Sequence, residues 1–549
     1  MKANFRNCSS FLSDVSKALS RFLPFLLVPI ISFVVLSLPD NPGAFYWNSF
    51  LRLPLEVPII LLLLCLLPRK LAVTSSVVIS AALFLLLFLK IADIGVQSAF
   101  RRQFNPYLDL KMMVDGWNLL SGTIGRIQGG MIIVTVGAAF LALLAIFFWA
   151  GNSLIKADAG VKRRVVSISV ALLVVGSGLL LVGPFPFARA DLQALPYLGK
   201  RLVLVRHSIL EMQTFERDIK KSDNVSLGED LFAGIKGRDV ILVFVESYGR
   251  SAIEDPLYSP LIGPRLEKID NQLASAGFAS ASGWLTSPTM GGLSWLAHGT
   301  FLSGLWIDNQ SRYDRLMISQ RKSLNRLFQS SGWHTAAVMP AITMAWPEAD
   351  YFGYDQVFAA KDLGYKGKPF NWITMPDQFA LTAFERLVRQ PARKAGHPVM
   401  AELALVSSHA PWTPVAKLID WQKVGDGTIF NEQAESDQSP KVVWADRDNI
   451  RDHYIRTIDY SIQTLGDYVS RFGEDAIVII LGDHQPAPVI TGENASRAVP
   501  VHIISRDKAV VRRFQDEGFS QGMIPKKTAP VLPMDSMRER LVRVLSHSE

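Results

Sequence analysis

At 549 residues the chain exceeds what one ordinary hydrophobic core accommodates, and 49% hydrophobic against 19% charged residues is rich for a water-soluble protein. The net charge of +8 comes with no basic tract interleaved with aromatics, which argues against a nucleic-acid partner. Both cysteines, Cys8 and Cys65, lie in the apolar first third, so the long C-terminal region has no disulfide and must rely on the size of its own core.

Mostly apolar runs stand at about 22–39, 53–68, 72–92, 130–150 and 165–183. Each is long enough, or nearly so, to cross a hydrocarbon core of about 30 Å. Lys2, Arg6, Lys17 and Arg21 precede the first run, and without a small-residue cleavage site that run is expected to be an anchor rather than a removed signal peptide. Arg69, Lys70, Lys156, Lys162, Arg163 and Arg164 mark the inner flanks, so five spans from an inside N-terminus carry the C-terminal region outside. Residues 1–183 are thus expected to form a five-helix transmembrane domain. Its loop 93–129, with Arg101, Arg102, Lys111 and Arg126 among aromatic and aliphatic residues, is expected in the membrane interface, packing there or holding an anionic lipid headgroup.

Residues 184–235 open on Pro184 and Pro186 and continue as a charged, helix-prone connector. Over 236–549 apolar strands at 239–245, 334–339, 398–407, 476–481 and 499–504 alternate with helical patterns at 263–277, 320–331, 376–390 and 449–471. This alternation predicts an α/β sandwich with a largely parallel central sheet. The polar stretch 424–442 reads as a surface insertion.

Two of these strands end in chemistry. The run 239–245 delivers Glu246 and Ser247, and 476–481 delivers Gly482, Asp483 and His484. Ligands in open α/β sheets gather beyond the carboxyl ends of strands, and this carboxylate and imidazole set suits Zn²⁺ or Mn²⁺. A nucleophile is offered by Ser294, which follows the Gly291-Gly292 bend and opens a helix-like run, where free N–H groups and the dipole favour a phosphoryl group. Thr289 and Thr300 are its rivals.

Glu246-Ser247, a Ser opening a helix some fifty residues later, Ser408-His409-Ala410-Pro411 and Leu481-Gly482-Asp483-His484-Gln485-Pro486 stand behind the five apolar runs. This set resembles the sulfatase-like branch of the alkaline phosphatase superfamily. Within that branch it is similar to the lipoteichoic acid synthase-like phosphoglycerol transferases and the lipid A phosphoethanolamine transferases. The resemblance implies Glu246, Ser294, Asp483 and His484 as ligands of one divalent metal, Mn²⁺ or Zn²⁺, with Ser294 the nucleophile. It implies His409 as a histidine that holds the phosphate or protonates the leaving group, and Trp346 as a substrate-site tryptophan. Glu348 stands where that family has an arginine.

The implied activity is transfer of phosphoglycerol from a phospholipid, phosphatidylglycerol favoured, to an extracytoplasmic glycan or lipid acceptor. The implied location is the bacterial inner membrane, with the 236–549 domain periplasmic. Phosphoethanolamine transfer and a sulfatase or phosphodiesterase hydrolase are the alternatives, although Ser294-Trp295-Leu296-Ala297-His298 lacks the Pro and Arg of a sulfatase nucleophile. His298, one helical turn after Ser294, and Trp412, beside His409, are further candidates for substrate contact. His334 and His502 read as core histidines, His453 as a surface one, and Asp377 as the start of a helix in preference to a residue lining the cleft.

Overall fold

A computed structural model describes residues 23–46, 50–100, 102–109, 117, 121, 125–182, 189–220, 231–235 and 237–546. The basic residues before the first apolar run, Arg101 and Lys111 of the expected interfacial loop, and 221–230 of the connector lie outside them. The chain folds as two compact units, Met1–Ser98 with Arg102–Leu210, and Ala99–Arg101 with Glu211–Glu549.

In the first unit the apolar runs form α1 (Leu23–Ser37), α2 (Glu56–Leu66), α3 (Arg69–Phe100), α4 (Arg126–Ile155) and α5 (Ala159–Val182). Among the described residues three helices, over Arg69–Ser98, Arg126–Ile155 and Ala159–Leu181, are long and apolar enough to cross a membrane. The first two expected spans are shorter apolar helices, and the local cause is visible in α2. Before it, Arg52–Pro54 pairs as a short parallel strand with Arg189–Asp191. After it, Leu67 is extended, at φ −70 and ψ 149, because Pro68 disfavours the helical region for the residue before it.

Two buried charged groups of this unit, Lys90 and Asp93, are paired. The Lys90 ammonium on α3 donates to the backbone oxygens of Val35, Leu36 and Leu38 at 3.2, 2.6 and 2.7 Å, satisfying carbonyls at the end of α1. Asp93 accepts from Tyr197 Oη at 2.6 Å and from the Phe104 N–H at 3.0 Å, and it pairs with Arg201; Tyr197 and Arg201 lie on α6 (Ala194–Lys220). Arg102, expected to attract an anionic headgroup, donates to both carboxylate oxygens of Asp109 at 2.7 Å, so its charge is already matched.

The second unit is built on a nine-stranded sheet: β1 (Asp239–Val245), β2 (Ala279–Thr286), β3 (His334–Met339), β4 (Gln356–Ala359), β5 (Val399–Leu405), β6 (Ala476–Gly482), β7 (Ala498–Ser505), β8 (Ser520–Gln521) and β9 (Val531–Pro533). Their order is β8-β2-β7-β6-β1-β5-β3-β4, with β9 beside β2. The sheet is mixed, which corrects the expectation of a largely parallel one. From β6 to β4 the neighbours are parallel, but β7 opposes both β6 and β2, and β8 opposes β2. Between β6 and β7 the only helix is the four-residue Pro488–Thr491, so no crossover helix covers a face and the chain returns antiparallel. The sequence reading missed β2, whose Ser280, Ser282 and Gly283 interrupt any apolar run.

Alternate residues of the central strands face two cores. Val240, Leu242 and Phe244 of β1 join one with Leu296 and Phe301 of α8 (Ser294–Ser303). Ile241, Val243 and Val245 join the other with Leu266 of α7 (Ser259–Ser275), Phe379 of α9 (Asp377–Phe384) and Ile458 of α10 (Arg447–Phe472). Helices on both faces explain why β1 and β6 read as unbroken apolar runs. The expected surface insertion at 424–442 is pinned by the buried Phe430 and Val443. Its Asp437 approaches His453 Nε2 at 3.4 Å, and His453, expected at the surface, is buried on α10 with Nδ1 bonded to Asn449 O at 2.9 Å.

Candidate metal centre and active site

Strand register places the site. In the parallel pair β1–β6 Val245 lies opposite Gly482, and in β1–β5 Val245 lies opposite Leu405. The residues that follow therefore leave the sheet at one level: Glu246 from β1, Asp483 and His484 from β6, and the Val406–His409 turn from β5. Gly482 admits the close approach of the two loops, since a Cβ there would lie 1.8 Å from the Tyr248 backbone oxygen.

The ligand atoms of Glu246, Asp483 and His484 lie within 4.8 Å of one another. All three residues are buried, and the loops hold them from behind. Asp483 Oδ1 accepts from the Ser247 N–H at 2.8 Å and from the His484 N–H at 2.6 Å. Ser247 reaches Glu246 Oε1 through its hydroxyl at 2.9 Å, from a left-handed backbone at φ 57. His484 Nδ1 donates to Gln485 O at 2.8 Å, which orients the ring and turns Nε2 toward the carboxylates, 3.3 Å from Glu246 Oε1 and 3.6 Å from Asp483 Oδ2.

Two buried carboxyls this close oppose each other's ionisation. Burial and Glu246 push the Asp483 carboxyl up to about 7. Burial would also raise Glu246, but the charges of His484 and His409 hold it well below the usual carboxylate range. Burial would lower His484, yet Asp483 and Glu246 lift it to about 9. The cluster needs positive charge to be at ease, and two carboxylates, one oriented imidazole and a hydroxyl fit a divalent cation.

That hydroxyl belongs to Ser294. Its Oγ donates to Glu246 Oε2 at 2.9 Å and lies 3.2 Å from His484 Nε2. Ser294 is the first residue of α8, where the N–H groups of Ser294 and Trp295 precede the first helical bond, from Leu296 N–H to Leu293 O at 2.9 Å. The preceding bend runs through Gly291 at φ 76, Gly292 at φ 145 and Leu293 at φ 65. A left-handed leucine is strained by about 1–2 kcal/mol, and the bend is held in place by its neighbours. Gly291 N–H donates to Gln485 O at 2.8 Å, and Ser287 Oγ donates to Asp483 O at 2.6 Å. The rival hydroxyls are occupied with backbone: Thr289 Oγ1 donates to Gly292 O at 2.6 Å, and Thr300 Oγ1 donates to Leu296 O at 2.8 Å and accepts from the Ile307 N–H at 3.0 Å.

His409 sits at the same edge. Ser408 Oγ donates to Glu246 O at 2.6 Å, His409 Nδ1 donates to Ala410 O at 2.6 Å, and the ring stacks on Trp372 with centroids 4.1 Å apart. Sequence reasoning missed the support of this turn. Asp377 does begin a helix, α9, but it is fully buried, and it accepts from Val406 N–H at 3.0 Å, Ser407 N–H at 2.9 Å and Ser461 Oγ at 2.6 Å. Trp412, expected to stack on a substrate, is 3% exposed, covered by Trp444 at 5.5 Å and bonded through Nε1 to Ser408 O at 2.8 Å. The tryptophan ring open to solvent beside His409 is Trp372, at 40% exposure.

His298 lies one turn below Ser294 and binds Glu402 Oε1 through Nδ1 at 2.6 Å. Trp346 packs half-buried against Phe352 and Tyr354, each with centroids 6.0 Å away. His502 is a buried structural histidine, with Nδ1 2.8 Å from Ser282 Oγ and Nε2 3.2 Å from Tyr248 Oη. His334, expected in the core, is partly exposed at the start of β3, 3.3 Å from Gln356 Oε1.

No family model matches the chain, and no curated protein matches it. Solved structures do. The chain is similar to the lipoteichoic acid synthase LtaP from Listeria monocytogenes, with 15% identity over 60% of this chain and 77% of that one and a TM-score of 0.39. It is similar to the C-terminal periplasmic domain of EcEptC from Escherichia coli, solved in complex with Zn, with 13% identity over 60% and 85% and a TM-score of 0.37. It is also similar to the phosphonate monoester hydrolase SpPMH from Silicibacter pomeroyi, with 11% identity over 57% and 74% and a TM-score of 0.34.

Proposed function

We propose that this chain is a membrane-anchored, divalent-metal-dependent phosphotransferase of the sulfatase-like alkaline phosphatase superfamily. It moves phosphoglycerol from phosphatidylglycerol to an extracytoplasmic glycan or lipid. The observation that carries the reading is the Ser294 hydroxyl, at a helix N-terminus and 2.9 Å from Glu246 in the Glu246, Asp483 and His484 cluster. Glu246, Asp483, His484 and Ser294 would hold Mn²⁺ or Zn²⁺, which lowers the pKa of a hydroxyl and offsets phosphoryl charge.

Ser294 Oγ attacks phosphorus as its proton passes toward Glu246 Oε2, and the phosphorus–oxygen bond to diacylglycerol breaks. His409, whose Nδ1 is committed to Ala410 O, supplies the leaving oxygen with a proton from Nε2. In the second half-reaction Nε2 takes the proton of the acceptor hydroxyl, the acceptor oxygen bonds to phosphorus, and Ser294 Oγ leaves with its proton restored. The N–H groups of Ser294 and Trp295 at the start of α8 would donate to phosphoryl oxygens throughout.

Phosphoethanolamine transfer is the second reading, favoured by Glu348, a carboxylate that would suit an ammonium headgroup and stands where the resemblance expects an arginine. The test uses purified chain in detergent with radiolabelled phosphatidylglycerol or phosphatidylethanolamine. Diacylglycerol should be released, a labelled adduct should form on Ser294, and Ser294→Ala should abolish both while retaining bound metal. Release by Ser294→Ala at the wild-type rate would overturn the mechanism.

A further inference from the structure

Glu402 is the odd residue of a central strand. It lies in the middle of β5, opposite Leu242 on one side and Ala337 on the other, and is 1% exposed. An unpaired carboxylate there would cost several kcal/mol, yet this one has both oxygens engaged. Oε1 takes His298 Nδ1 at 2.6 Å, and Oε2 takes the Tyr354 hydroxyl. A carboxylate only accepts, so Nδ1 carries a proton, and in the neutral ring the lone pair is at Nε2. Phe244 stacks on the imidazole, with centroids 3.8 Å apart and planes 18° apart, and fixes the ring plane. Nε2 has no hydrogen-bond partner among the described residues and belongs to a side chain 13% exposed.

We infer that His298 Nε2 is a hydrogen-bond acceptor for the headgroup of the donor lipid, and that Glu402 and Tyr354 are positioning residues that hold it in that tautomer. The inference rests on the phospholipid reading above. His298 shares a helix face with Ser294, so a group esterified to the reacting phosphorus comes within its reach. Phosphoryl oxygens only accept hydrogen bonds and do not suit a lone pair. A headgroup bearing a hydroxyl or an ammonium does, and Trp346, packed on Tyr354, supplies an apolar wall beside it. The site therefore selects headgroups that donate a hydrogen bond. One without a donor leaves Nε2 unpaired and is rejected.

Diacylglycerol release by the full chain is measured with phosphatidylglycerol, phosphatidylethanolamine and phosphatidylcholine, whose trimethylammonium group has no hydrogen to donate. The wild type should use the glycerol or the ethanolamine lipid at least about tenfold better in kcat/KM than the choline lipid, and which of the two is used tells hydroxyl from ammonium. Glu402→Gln offers Nδ1 either an amide oxygen or an amide N–H, so the tautomer with the lone pair at Nε2 is no longer fixed. This variant and His298→Ala should lower kcat/KM for the accepted lipid about 10- to 100-fold while the choline lipid changes little, with metal content kept. Equal use of the choline lipid by wild type, or variants that lower all three lipids in parallel, overturns the inference and leaves the proposed reaction standing. Release from none of the three overturns both. If Glu402→Gln does not fold, His298→Ala decides the matter, because its side chain lies at the edge of the site.

Discussion

The three hydroxyls that compete in the sequence for the role of nucleophile are told apart by what each touches. Thr300 spends its hydroxyl on Leu296 O and the Ile307 N–H, so Thr300→Val should cost about 1 kcal/mol of stability and keep transferase activity. An inactive, folded Thr300→Val would move the nucleophile away from Ser294. His502 makes a different prediction. Its burial lowers the imidazole from 6.5 to about 3, so below pH 6.5 the unfolded chain binds a proton that the native one refuses. Stability therefore falls as pH drops from about 6.5 toward 3, by at most about 1.4 kcal/mol per pH unit from this group. Thermal melts of His502→Gln should show a flatter dependence in that window, and an unchanged profile would assign the acid sensitivity elsewhere.

At the scale of elements, the turn carrying His409 depends on α9, through Asp377. Asp377→Ala removes the acceptor for two backbone N–H groups and a hydroxyl, and should destabilise the domain by about 3 kcal/mol. It should also lower kcat while leaving bound metal at the wild-type level, because Glu246, Asp483 and His484 sit on other loops. Loss of metal instead would mean that the two loops fold as one. Much of this arrangement was legible in the chain. Unbroken apolar strands betrayed β1 and β6, and the polar residues at their ends pointed to the site. The direction of β7 was not legible, because strand composition says nothing of which way a neighbour runs. Nor were Glu402 and Asp377 legible as buried carboxylates. Glu402 in its apolar run and Asp377 at its helix start show as buried only once the partners that satisfy them, Tyr354 and Ser461, are brought in from distant segments. Trp412 failed for a related reason: proximity in sequence to His409 placed it near the site, but packing under Trp444 sealed its ring.

For the whole molecule, the proposed topology places the catalytic unit outside the membrane. A C-terminal alkaline phosphatase fusion should be active and a C-terminal fluorescent reporter that matures only in the cytosol should be dark; the reverse pattern would remove the unit from its proposed substrates. Metal should stabilise the folded unit by mass action. Saturating Mn²⁺ or Zn²⁺ at about 100 times its dissociation constant should add about 2.7 kcal/mol, read as a rise in melting temperature that chelator reverses and that Glu246→Ala abolishes. The pairing of β1 with β6 gives this a temporal meaning. Ser247 and Asp483 bond across 236 positions of chain, so a newly made strand ending in Glu246 carries one carboxylate and no chelate until β6 is made. Under the proposed topology a cation site assembled so late in synthesis would be loaded only after export, and its occupant would be decided by the metals of the compartment outside rather than by the buffering of the cytosol.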